Sequence, residues 1–132
     1  MNANEILKGN KLIAKFMQLE KKIVAKGLIE YMYTHKFTQH GFYETTHEFC
    51  LLFHSSWDWL IPVVEKIEAT NRINDNEWYP YQVTIWNTSC IISDGNNANK
   101  IVHTVTENNK IEATWSAVVK FIKWYNNENK QK

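Results

Sequence analysis

Glycine and proline are scarce in this chain, four and two among 132 residues, and cysteine occurs only twice. The glycines stand apart at positions 9, 27, 41 and 95, so no glycine-rich loop is present to cradle a phosphate. Cys50 and Cys90 lack metal-ligand spacing. They read as buried, reduced thiols, with a disulfide as the alternative. No G-x-S-x-G elbow announces a nucleophile, and no internal repeat is visible. Apolar runs all fall short of the roughly 20 residues that a membrane span requires. The opening MNANEILKGN has no basic stretch followed by an apolar core, so a cytosolic protein with no membrane partner is expected. Charge of one sign is missing too. A formal net charge of +1 removes the electrostatic case for duplex nucleic acid and leaves local patches such as Lys21, Lys22 and Lys26.

What is present is material for a core. Apolar residues make up 44% and aromatics 14%, with six Trp, which disfavours disorder. The length suits one domain over residues 1–132, able to bury about two thirds of its unfolded surface, with 127–132 as a frayed tail. Asparagine recurs in NANE, NRINDNE, GNNAN, ENNK and NNEN, where turns and caps are wanted.

Periodicity places three helices. Residues 4–19 carry a stripe of Ile6, Ile13 and Met17, and Asn2 followed by Glu5 is a start signal. Residues 55–70 repeat Leu60, Val63, Val64 and Ile67 at helical spacing. Over 110–126, Ile111, Trp115, Val118, Val119, Ile122 and Tyr125 form one face, with Ala117, Phe121 and Trp124 beside it. Between the helices, β-branched and aromatic composition predicts short strands at 22–26, 28–37 and 41–53. A loop follows over NRINDNEWYP, and then a long hairpin pairs 81–93 with 100–106. The expected fold is α+β, a small, mainly antiparallel sheet with three helices packed on it.

Each candidate for chemistry has a plainer explanation. His47, Cys50 and His54 would share a face on a helix, but TTHEFCLLFH has strand composition and no fourth ligand is at hand, so no metal is expected. His54, Ser55, Ser56 and Asp58 include the residue types of a catalytic triad. Ser55 and Asp58 also have the spacing of a capping box, which uses them more economically. Pro62 then falls inside the helix, which predicts a bend or a freed carbonyl at Asp58 unless the helix proper starts at Pro62. Trp57 and Trp59 point in different directions on a helix, so at most one belongs fully to the core.

At HSSWDWLIPVVEKIE, residues 54–68, and KIEATWSAVVKFIKWYN, residues 110–126, the chain resembles a family of small proteins encoded by phages, prophages and Bacteroidota-type bacteria. LIAKFM at 12–17 extends the resemblance to the first helix. The chain departs at Gln18, where that family commonly has Gly, at Ile61 for Met and at Trp115 for Tyr, and residues 20–50 match little. The resemblance implies a source, and with it a protein acting in the host cytoplasm without catalysis. By analogy such proteins bind a host factor or sequester a small signal.

Two functions are therefore expected, neither enzymatic and neither needing a cofactor. In the first, His54, Ser56, Trp57, Trp59, Tyr81 and Trp86 bind a planar nucleotide-like small molecule, each stacked ring contributing about 1–3 kcal/mol. Trp78 and Tyr79 are further aromatic candidates. In the second, an apolar helix face blocks a host protein. The wide apolar arc of the third helix also predicts a homo-oligomer through Ala117, Phe121 and Trp124, deeper burial against the sheet being the alternative.

Overall fold

A computed structural model describes residues 2–25, 28–33, 44–70, 80–95 and 99–130, by backbone alone over 20–25, 28–33, 44–46 and at 130. The order is α1 (Ala3–Phe16), β1 (Glu20–Ala25), β2 (Leu28–Tyr33), β3 (Glu44–His47), a 3-10 turn (Glu48–Cys50), α2 (Trp57–Glu68), β4 (Gln82–Trp86), β5 (Ser89–Ser93), β6 (Lys100–Val105) and α3 (Lys110–Lys130). This is a mixed α+β fold. The strands form two three-stranded antiparallel sheets, β1-β2-β3 and β4-β5-β6, where one sheet was expected. The chain divides into two compact units, Met1–Pro62 and Val63–Lys132.

In the first unit α1 starts as its sequence signals. The Asn2 side chain accepts from the Glu5 N–H at 2.8 Å and donates to its carboxylate at 3.1 Å, satisfying one of the unpaired N–H groups of the first turn. The helix ends at Phe16, short of the expected Leu19, because Gln18 turns left-handed with φ of 59°. Leu19 N–H then reaches back to the Ala14 carbonyl and Gln18 N–H to that of Lys15, both at 3.0 Å. This paired arrangement closes a helix C-terminus and normally puts glycine where Gln18 stands. The strand expected over 41–53 stops at His47, since the 3-10 turn takes up Glu48–Cys50. Within the expected strand at 28–37, residues 34–37 lie outside the described ones.

α2 begins at Trp57, two residues later than expected, and contains Pro62 within its run. The residue before it is Ser56, whose carbonyl accepts from Leu60 N–H at 3.0 Å. The cap position therefore falls on Ser56 and not on Ser55, and Asp58 stands second in the helix rather than third. A carboxylate in the first turn still meets the positive end of the helix dipole, worth up to about 1 kcal/mol at an exposed site. Pro62 has no N–H to give to the Asp58 carbonyl four residues back. Leu60, Val63, Val64 and Ile67 are all buried, as their spacing predicts.

The second unit contains a meander where a single long hairpin was expected. The run 81–93 breaks at Asn87-Thr88, and Trp86 pairs with Ser89 across that two-residue turn. Asn87 makes it possible by adopting φ of 47°, a conformation its short polar side chain tolerates. The register pairs Ile85, Cys90 and Thr104 along one row, and Val83, Ile92 and Val102 along the next. α3 lies across β5 and β6 on this face. The Thr104 hydroxyl, buried there, donates to the Ala113 carbonyl of α3 at 2.6 Å. Gly95 has no room for a side chain, because a Cβ would lie 2.0 Å from the Pro80 carbonyl oxygen. At its start α3 is capped by Asn109, whose side chain accepts from Glu112 N–H at 2.9 Å. The helix continues past Asn126 to Lys130, through the first part of the tail expected to fray.

The left-handed Gln18 leads to a direct expectation. Gln18→Gly removes a side chain whose Cβ crowds the following carbonyl, a strain of about 1 kcal/mol or somewhat more. Urea unfolding should show a higher midpoint at unchanged slope, and Gln18→Val should lower it.

Candidate functional site

The predicted site residues are divided between the two units and differ in burial. Trp59 is 7% exposed and its indole meets the Phe53 ring edge-on, centroids 5.1 Å apart and planes at 85°. Trp57, two residues earlier, is 36% exposed. The pair is thus split as helix geometry requires, and Trp59 belongs to the core rather than to a ligand. Tyr81 is also buried, in T-shaped contact with Phe121 at 5.0 Å and Trp124 at 6.1 Å. It leaves the set of ligand contacts.

The oligomer face changes in the same way. Ala117 and Phe121 are fully buried within the chain, and Trp124 is half-buried against Tyr81 and Phe121. The wide apolar arc of α3 is covered by the sheet on one side and by Tyr81 on another. Deeper burial therefore accounts for a stripe that suggested a second subunit.

His54 is half-buried and held from α1. The Asn10 amide nitrogen lies 2.9 Å from His54 Nδ1 and donates at the same distance to the Leu51 carbonyl. Burial lowers the proton affinity of His54 below the usual imidazole value of 6.5. A depressed pKa means that folding favours the neutral ring. The stability this contributes is complete above pH 6.5 and is shed as pH falls from there through the folded pKa. Near this cluster Lys11 pairs with the largely buried Glu48 at 3.4 Å, joining α1 to the 3-10 turn. His47 accepts from Phe49 N–H at 3.2 Å, capping the turn, and stacks on the Phe49 ring at 4.9 Å. Among the described residues no group of three or more His, Cys, Asp or Glu side chains is arranged to hold a metal ion. Cys90 lies under α3, where burial pushes its thiol up to about 11 and leaves it a poor nucleophile.

Of the aromatic candidates, Trp57 and Trp86 remain on the surface. Trp86 stands on the outer face of β4-β5-β6 and is near-parallel to the His103 ring, centroids 6.5 Å apart and planes at 29°. Val105 shares that face. Ser56 is half-buried, with its N–H on the Leu52 carbonyl. Lys21, Lys22, Lys26, Trp78 and Tyr79 lie outside the described side chains.

Among the described residues a larger group of exposed apolar side chains lies elsewhere. Phe49 is 67% exposed, Leu52 42% and Ile61 37%, so with Trp57 four large apolar side chains face outward between 49 and 61. Trp57 and Ile61 are one turn apart on the same side of α2, along the edge of the buried stripe of Leu60, Val63, Val64 and Ile67. No protein-family model, curated protein or solved structure matches the chain.

The two tryptophans should separate cleanly on mutation. Trp59→Ala is expected to cost about 3–5 kcal/mol, as for a buried aromatic. Trp57→Ala should cost under about 1 kcal/mol. Chemical unfolding of both variants checks the contrast, and equal losses would contradict the burial described above.

Proposed function

We propose that the chain is a non-catalytic interaction protein of phage or prophage type that docks onto a host protein through Phe49, Leu52, Trp57 and Ile61. The observation that carries this reading is the clustering of these four exposed side chains within thirteen consecutive positions, 49 to 61. Exposed apolar groups that adjoin one another mark interaction sites, and exposed aromatics of this kind anchor protein interfaces. Asp58 is the one Asp, Glu, Lys or Arg exposed in that stretch. A partner that presents an apolar anchor beside a cation fits it best. The buried Phe121 face, which first suggested this class of function, has no part in it.

A second reading rests on a separate observation. Trp86 and His103 present two exposed, near-parallel rings on an open sheet face, which suits a planar nucleotide-like molecule stacked on the indole. It retains one member of the expected ligand-binding set and adds His103.

Tagged protein should retain a discrete host protein from bacterial lysate, and a Trp57→Ser/Ile61→Ser double variant should lose it at unchanged melting temperature. Retention by the double variant, or no partner for the wild type, sinks the first reading. For the second, nucleotides should raise the melting temperature by several degrees, and Trp86→Ala should abolish the shift. No shift at millimolar nucleotide removes it.

A further inference from the structure

The Asn10 amide has two hydrogens, and its nitrogen lies 2.9 Å from both the Leu51 carbonyl oxygen and His54 Nδ1. Both neighbours are then acceptors. Turning the amide over would put its oxygen against the Leu51 oxygen, acceptor facing acceptor, so Leu51 fixes which way Asn10 points. A fixed donor dictates the state of His54: Nδ1 must offer its lone pair, and the ring proton must sit on Nε2. A proton on Nδ1 would face the amide hydrogens and break the contact.

Asn10 is 2% exposed, and Leu51 and Phe53 are buried on either side of the exposed Leu52. The Asn10 amide therefore ties to α1 the short segment that leads from the 3-10 turn into α2. The other titratable groups carried by α1, the 3-10 turn and the start of α2 do not substitute for it. Glu5 accepts from the Asn2 amide, Lys8 and Lys15 are exposed, Lys11 and Glu48 pair with each other at 3.4 Å, His47 caps Phe49, Cys50 is exposed, and Asp58 is exposed in the first turn of α2.

We propose that Asn10 and His54 form a proton-operated latch: neutral His54 holds the Leu51–Ser56 segment against α1, and protonated His54 releases it, altering the apolar docking surface. Burial of the imidazole, which disfavours its charged form, makes the closed state the resting one at neutral pH. Release begins at the exposed Leu52 and the entry to α2, where burial holds the segment least. The effect on binding rests on the docking function proposed above. The tautomer and the response of the segment do not.

Imidazole nitrogen NMR on the wild type tests the latch without any partner. At about pH 7.5 His54 should show protonated Nε2 and unprotonated Nδ1, and on acidification it should titrate below the ordinary 6.5. The backbone amides of 51–56 should shift with the same midpoint, and their exchange protection should fall at least tenfold through it. His54→Gln supplies a carbonyl acceptor for Asn10 that does not take up a proton in this range. In that variant the same amides should stay flat and protected from about pH 7.5 to about pH 5. A proton on Nδ1 at neutral pH, or amides that ignore the His54 titration, overturns the latch. Where a host partner has been captured, its affinity should drop below pH 6.5 for the wild type and hold for His54→Gln. A working latch with no effect on affinity would leave the NMR result standing and remove the docking surface from its control.

Discussion

A single buried amide organises the first unit. Asn10 sits on the stripe of α1 that also carries Ile6 and Ile13, at the one polar position of that row. Leaving it without partners would cost a few kcal/mol, about the net stability of a small structural element. The Leu51 carbonyl and His54 prevent that loss. Once the amide is satisfied, the path of residues 51–56 is fixed, and with it the point at which α2 can begin. The exposure of Leu52 and Trp57 follows from a hydrogen-bond requirement in a helix more than 40 residues away in sequence.

The second unit is held by a different means. α3 has apolar residues around most of its circumference, and the structure buries nearly all of them, with Tyr81 covering the side that the sheet does not reach. Within this packing the Thr104 hydroxyl and the Cys90 thiol are polar points under the helix. Thr104 spends its proton on a helix carbonyl, which fixes where α3 crosses β6. An aliphatic side chain of the same shape would leave the crossing specified by shape alone.

Much of this architecture was legible in the sequence, and the failures have physical reasons. The α2 core face and the start of α1 were readable because helical spacing and capping chemistry are local. The end of α1 was missed because nothing in the residue type of Gln18 announces a left-handed conformation, which only the carbonyls behind it demand. The break at Asn87-Thr88 was missed because strand composition continues on both sides of it. For the site, aromatic content gave candidates but not their orientation. Trp59 and Tyr81 lie inside, whereas Phe49 and Ile61, which drew no candidate role from the sequence, lie outside. Asn10 had a signal of its own, a lone polar residue on an apolar stripe, which predicts buried partners without naming them.

The turn at Asn87 has an effect beyond closing two strands. Successive residues of β4 point to opposite faces, so the pairing of Trp86 with Ser89 decides that Trp86 and Thr84 face out while Val83 and Ile85 face α3. A slip of one position would turn the indole inward and carry two aliphatic side chains to the surface, converting a discrete aromatic platform into a sticky, strand-forming edge. One backbone torsion at an asparagine thus separates a sheet that can present a ring to a partner from one prone to pair with its own copies.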